Sequence, residues 1–309
     1  IERILVPPIP TDQNLNITRL SDTKPLDTYH NFISEMIKGG YRLDNNDGIY
    51  DDEDFYVFTY DWRLANASNG DSLKKFIDKV IDRTGVPKVD IVVHSMGGIV
   101  AKSYIAKYTS TASGIRRLIF IATPHLGSPK IMGSLTNGYF PINGFDWIIS
   151  DASVQSLTRN MIPAYQLLPS RSFFSIYPSV IRTSSKNYSF DETITFLKEK
   201  TFRPFFHVLN SNFVDMIEYL QTSLNLIDFG SIRVFNIVGT GLPTIGYYNF
   251  YDDPRVGTTL NDYANLDGDG TVPLGSAETI SGHATIADYY ITGGTNSHQE
   301  LPSNPAVVE

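Results

Sequence analysis

Val89-Asp90-Ile91-Val92-Val93-His94-Ser95-Met96-Gly97-Gly98 decides the fold. Val89 to His94 follows Pro87 and is apolar at nearly every position, the signature of a strand buried on both faces, as in a parallel sheet. Ser95 comes directly after it, and a helical run opens at Met96 and continues to about Tyr108. A serine between a buried strand and a helix, with glycine two residues on, approximates the nucleophile elbow G-x-S-x-G. The sharp turn lifts the serine Oγ above the sheet edge, and the helix N-terminus aims N–H groups at developing negative charge. Val93 stands where the motif has glycine. Its branched Cβ predicts that a neighbouring strand gives way or that the turn is looser. The plainer reading, an ordinary serine with glycines for helix–strand packing, is outweighed by the strand–turn–helix context.

Outward from this stretch, strand and helix signals alternate. Ile4-Leu5-Val6 is a short strand ended by Pro7 and Pro8. Tyr29, Phe32, Ile33, Met36 and Ile37 recur at helical spacing, with Asp27 as N-cap and Gly39 as the stop. Phe55 to Tyr60 reads as a strand, and Leu73, Phe76, Ile77, Val80 and Ile81 as a helix closed by Gly85. Leu118 to Ala122 is a further buried strand. This order predicts an α/β fold, a mostly parallel sheet with helices on both faces. The alternation stops after Pro124 and buried strand character returns at Ile232 to Val238. Between them lie helix candidates at 191–200 and 211–224 and a dense set of aromatics. Residues 1–125 and 232–309 are therefore read as the core, with 126–231 as an inserted cap; the alternative is that the aromatics fill a second core.

Composition narrows the function. Of 309 residues, 41% are hydrophobic and 19% charged, a globular balance. A net charge of −8 argues against nucleic acid as a partner. With no cysteine, disulfides, thiolate metal sites and a cysteine nucleophile are excluded. No apolar run approaches the ~18 residues that span a bilayer. The chain starts at Ile1, which points to a processed chain or a fragment.

A serine needs a base, and the base an orienting carboxylate. On this type of sheet the chain order is serine, acid, histidine. His125, His207, His283 and His298 follow Ser95. His125 precedes any suitable acid, and His207 sits among aromatics. His298, in the polar loop Asn296-Ser297-His298-Gln299, is the preferred base, with His283 second. The acid comes from Leu266-Asp267-Gly268-Asp269-Gly270-Thr271-Val272-Pro273, where Asp269 has Asp267 as its rival. Alternating Asp-Gly-Asp also suggests a calcium loop, but the closing Glu is missing, and no metal is expected.

With these residues in place, the chain resembles the α/β-hydrolases of the lecithin:cholesterol acyltransferase-like family, on its bacterial lipase/esterase side. The resemblance is carried by Tyr60-Asp61-Trp62-Arg63, His94-Ser95-Met96-Gly97-Gly98, Ala122-Thr123-Pro124-His125-Leu126-Gly127-Ser128 and Gly268-Asp269-Gly270-Thr271-Val272-Pro273. Arg159-Asn160-Met161-Ile162-Pro163 and Leu167-Leu168-Pro169 match more weakly. It places the nucleophile at Ser95, the acid at Asp269 and the base at His298. It implies cofactor-free hydrolysis or acyl transfer on lipid-like esters. One oxyanion donor is expected to be the N–H of Met96; the family pattern puts the second in the loop after an early strand, where Pro7-Pro8-Ile9-Pro10-Thr11 leaves only Ile9 or Thr11, so either the geometry departs from that pattern or the strand in question lies upstream of Ile1.

The expected activity is that of a serine carboxylic-ester hydrolase, a lipase or esterase working through an acyl-enzyme. Acyl transfer with the same triad is the alternative, and a non-catalytic binding module on a hydrolase fold the more distant one. Trp62, Phe140, Phe145, Trp147, Phe173 and Phe174 are the expected substrate-binding aromatics. The expected partners are a lipid or small acyl ester and a transient lipid interface, with no obligate protein partner; a secreted protein is the expected setting.

Overall fold

The computed structural model describes residues 2–6, 28–44, 53–108, 114–138, 151–202, 207–214, 217, 224, 226–253, 255, 257–280, 286–293 and 296–308. Asp27, Ile9, Thr11, Phe140, Phe145, Trp147 and His283 lie outside the described residues. In chain order the elements are β1 (Glu2–Val6), α1 (His30–Lys38), β2 (Phe55–Val57), α2 (Asn66–Thr84), β3 (Val89–His94), α3 (Met96–Lys107), β4 (Ile115–Ile121), α4 (Lys130–Asn137), α5 (Asp151–Thr158), α6 (Ile162–Gln166) and α7 (Arg171–Ile176). They continue with β5 (Ile181–Thr183), β6 (Lys186–Asn187), α8 (Phe190–Glu199), β7 (Arg233–Thr240), β8 (Leu242–Asp253), β9 (Gly257–Gly268), α9 (Leu274–Glu278), β10 (Ile286–Thr292) and α10 (Pro305–Val308). The chain forms two compact units: Ile1–Thr123 with Leu226–Gly241 and Ile280–Glu309, and Pro124–Asn225 with Leu242–Thr279.

The first unit is built on a six-stranded sheet in the order β10-β7-β4-β3-β1-β2, every neighbouring pair parallel. From β1 the chain steps outward to β2, then reverses over β1 to β3 and continues through β4. Right-handed crossovers in opposite directions place their helices on opposite faces. Packing agrees with this. Phe32, Ile33 and Met36 of α1 share a buried cluster with Phe55, Val92, Ile121, Ile237 and Leu301, whereas Ile91 and Val93, alternate on β3 with Val92, point to the other face. On α2, Gly70 stands against the backbone of Ser103 and Tyr104 in α3, where a Cβ would lie 2.9 Å from the Tyr104 amide nitrogen.

Sequence and structure differ locally in three places. The strand expected over Phe55 to Tyr60 pairs only from Phe55 to Val57. Phe58 and Tyr60 are nevertheless buried: their rings stack, and Phe58 also meets Phe76 of α2 at 5.2 Å. Their aromatic character serves packing, not a ladder. Second, α2 starts well before its apolar stripe, because Asn69 Nδ2 donates to the carbonyls of Asp61 and Leu64 and ties the polar first turns down. Third, the N-cap of α1 is Tyr29, and Gly39 closes that helix through its N–H to Glu35 O.

The second unit carries a four-stranded sheet in the order β6-β5-β8-β9, dominated by the long antiparallel hairpin β8–β9. The helix expected at 191–200 is α8, begun by a Ser189/Glu192 capping box; in the one expected at 211–224, residues 211–214 are helical. No helix among the described residues is long and apolar enough to cross a membrane.

Candidate active site

Ser95 caps α3 with φ 53° and ψ −128°, a conformation non-glycine residues rarely adopt. The surroundings over-determine it. β3 stays in register with β4 to His94↔Ile121, and the Ser95 N–H donates to Ile121 O at 2.9 Å. Val93 is fully buried and paired on both sides, with Val6 and Phe120, so the branched residue neither displaces the neighbouring strands nor relaxes the turn. Ala122, at the end of β4, is strained in the same way (φ 50°), and its N–H donates to Ile237 O. Gly98 meets the need for close approach: a Cβ there would lie 2.2 Å from Thr123 Oγ1. Met96 is the first residue of α3, and the first N–H groups of a helix have no intrahelical partner.

His298 comes to Ser95 from the other end of the chain. Its Nε2 lies 2.8 Å from Ser95 Oγ. The loop that carries it is fixed on both sides. Asn296 Nδ2 donates to Thr240 O at the end of β7, and Leu301, whose N–H donates to Ser297 O, is fully buried in the α1 cluster. Ser95 itself is half-buried.

A further histidine belongs to this arrangement. His94 is buried, with its Nε2 2.8 Å from His298 O and its Nδ1 2.7 Å from Tyr29 Oη. Burial, aided by the adjacent His298, holds its pKa well below the ordinary histidine value. A neutral ring facing a carbonyl with Nε2 must carry its proton there. His94 Nε2–H therefore donates to His298 O, and Tyr29 O–H donates to Nδ1. Neither Tyr29 nor His94 was assigned to the site by sequence reasoning. The available signal was a histidine at the buried end of a strand, where an unpaired ring is costly.

Asp269 belongs to the second unit. It is 1% exposed, and its Oδ1 accepts the N–H groups of Thr271 and Val272. Asp267, its rival, is exposed on β9. The turn is held by Thr244 Oγ1, which accepts the Gly270 N–H, by Ser128 Oγ donating to Thr271 O at 2.5 Å, and by Lys130 Nζ at 3.2 Å from Gly270 O. Ser128 N–H in turn donates to Leu167 O, and Ser170 N–H to Leu126 O. Gly127 (φ 93°) leaves no room for a Cβ, which would stand 2.3 Å from Leu168 O. Residues 126–128, Leu167, Leu168 and the 270–271 turn, each from a block singled out in the sequence, thus interlock.

The remaining residues fall elsewhere. His30 is exposed. His125 is buried. His207 is buried against Phe202, with Nε2 3.1 Å from Leu135 O. Arg63 clasps Asp61 through Nε and Nη2 at 2.8 and 2.7 Å and holds that carboxyl below the usual range. Trp62 between them is half-buried. Phe173 has no exposed surface and packs on Phe174 and Tyr177, as a core residue does; Phe174 is half-buried against Phe190.

The family model described as lecithin:cholesterol acyltransferase matches residues 14–229. The chain belongs to the lecithin:cholesterol acyltransferase family. Its fold is the α/β-hydrolase fold expected from the elbow and the parallel sheet. Within the family it is 24% identical over 286 residues to Lecithin-cholesterol acyltransferase-like 4 of Arabidopsis thaliana, covering 81% of this chain and 52% of that protein. It is 23% identical to Phospholipase A(1) LCAT3 of the same plant, covering 91% and 68%. The chain thus spans about half the length of the first of these relatives. Among solved structures, a chain of the Tle4–Tli4 complex is similar in fold, with a TM-score of 0.54 at 15% identity, covering 83% of this chain and 67% of that one.

Proposed function

We propose that this member of the lecithin:cholesterol acyltransferase family is a serine carboxylic-ester hydrolase acting on lipid-like acyl esters. The observation that carries the reading is the 2.8 Å approach of His298 Nε2 to Ser95 Oγ at a strained strand-to-helix turn. His298 takes the Ser95 proton as Oγ attacks the ester carbonyl, and the Met96 N–H stabilises the oxyanion. The imidazolium then protonates the leaving alcohol. Water, deprotonated by the same ring, attacks the acyl-enzyme and releases the acid. Asp269 is the orienting carboxylate, by chain order and family pattern. Its burial and structured turn, against the exposure of Asp267, support that choice. Of the aromatics assigned to substrate, Trp62 and Phe174 are half-buried, not core, and remain our candidates. The phospholipase named among the relatives favours lipid-like substrates met at a lipid interface.

Reaction with a fluorophosphonate probe, together with hydrolysis of p-nitrophenyl esters, tests this reading. Wild type is expected to label at Ser95 and to turn over. Ser95→Ala is expected to keep the fold, not label, and lose on the order of 10⁶ in kcat. Ester turnover by Ser95→Ala within tenfold of wild type ends the proposal. Acyl transfer uses the same residues. Adding a long-chain alcohol to the assay and finding more ester than free acid would assign the chain to that reaction instead.

A further inference from the structure

We propose that His94 and Tyr29 are positioning residues for His298, fixing the backbone of the base to the strand end that carries the nucleophile. This rests on the reading of His298 as the base. His94 is the last residue of β3 and Ser95 follows it directly, so nucleophile and anchor are joined by one peptide bond. The anchor reaches the base by one hydrogen bond, His94 Nε2–H to His298 O.

Tyr29 makes that bond dependable. A neutral imidazole has two tautomers, and the wrong one would face the His298 carbonyl with a lone pair. Tyr29 has a proton to give to Nδ1, and its buried phenol stays protonated, its pKa raised well above normal by burial. With Nδ1 occupied as an acceptor, the ring proton belongs on Nε2. Tyr29 is itself held in the α1 cluster beside Leu301, three residues after His298. The path Tyr29–His94–His298 is therefore closed at both ends by the same core. A general base must be held within a fraction of an ångström of its partner, and misplacement by about 1 Å costs on the order of 10²-fold in rate.

The variants His94→Phe, His94→Gln and Tyr29→Phe test this, with kcat expressed per active site titrated to completion by the fluorophosphonate, and His298→Ala is run beside them with rates per folded protein. That normalisation removes molecules lost to misfolding. His94→Phe, which keeps a ring but has no donor, is expected to lose about 10²-fold in kcat with KM within threefold. His94→Gln, whose amide N–H reaches the place of Nε2–H, is expected to recover at least tenfold of that loss. Tyr29→Phe, which deletes one hydroxyl, is expected to lose about tenfold. Per-site kcat within threefold of wild type in His94→Phe, or a His94→Gln no better than His94→Phe, overturns the proposal. If His94→Phe does not fold, Tyr29→Phe decides alone, and unchanged per-site kcat there overturns it. His298→Ala separates the two layers. If it stays active, the assignment of the base has failed; if it is inactive while the His94 and Tyr29 variants are normal, only the positioning role has.

Discussion

A Cβ placed on Gly98 would stand 2.2 Å from Oγ1 and 2.4 Å from Cγ2 of Thr123, so the first turn of α3 rests directly on the Thr123 side chain just beyond β4. Gly98→Ala therefore requires the buried Thr123 side chain to turn away and, with its Cβ at 2.8 Å, α3 or the segment carrying Thr123 to give as well. Overpacking of this kind costs about 1–3 kcal/mol. Because Met96 N–H lies in the same turn, kcat should fall more than stability does. Thermal melts and ester kinetics on the variant check this; normal kcat in a folded Gly98→Ala protein would disconnect the turn from the chemistry.

The two aspartates of the 266–273 turn should separate cleanly. Asp269→Asn keeps an oxygen to accept the Thr271 and Val272 N–H groups, so the turn survives while the charge is lost. A loss on the order of 10⁴ in kcat is expected, as for an orienting carboxylate. Asp267→Asn, exposed on β9, is expected to stay within a few-fold of wild type. The reverse ranking would move the acid to Asp267.

Lys102 gives a pH-dependent test of stability. It is fully buried on α3, its Nζ has no hydrogen-bond partner among the described residues, and burial pushes its pKa down to about 7. The unfolded chain holds that proton up to about 10.4. Stability is therefore greatest above the unfolded value and is lost as pH falls from there through about 7. Lys102→Met should raise the melting temperature at pH 7, and the gain over wild type should shrink at pH 9.5. An equal gain at both pH values would show that the ammonium is not being discharged on folding.

Substrate preference is expected to follow acyl length. Each buried CH₂ contributes about 0.8 kcal/mol, so four added methylenes gain roughly 3 kcal/mol where the acyl site is long enough. kcat/KM should rise from acetyl to octanoyl p-nitrophenyl esters. A flat or falling series would remove the lipid-like substrate while leaving the serine-esterase chemistry intact.

The elements on either side of Ser95 were legible because they obey local rules. Val89 to His94 is buried on both faces and reads so, Ser95 interrupts it, and α3 begins at the next residue. Gly85 ends α2 in the left-handed region that a stop glycine supplies. What could not be read depends on partners distant in sequence. The hairpin β8–β9 was missed although Tyr247, Tyr248, Phe250 and Tyr251 mark a β-rich run. β8 alternates from Thr244 to Phe250, but its partner β9 has no buried position from Thr259 to Asp267, and register shifts near Ile245 and Asn249 break the pairing of the two patterns. The motif glycine replaced by Val93 looked like a weakness of the turn, because the sequence does not reveal how β1 and β4 flank that position. The role of His94 depends on a carbonyl 204 residues away, and no spacing rule reaches that far.

The bond from His94 to His298 has a consequence for noise. Sheet edges fluctuate, and a nucleophile and base referenced to separate parts of the scaffold would have the sum of both jitters in the distance between them. In the proposed mechanism the nucleophile is covalently next to the residue that grips the base, so a displacement of the β3 terminus carries Ser95 and His298 together. Motion of the strand end is then shared by both partners, while Asn296 and Leu301 tie the same loop to β7 and the α1 cluster.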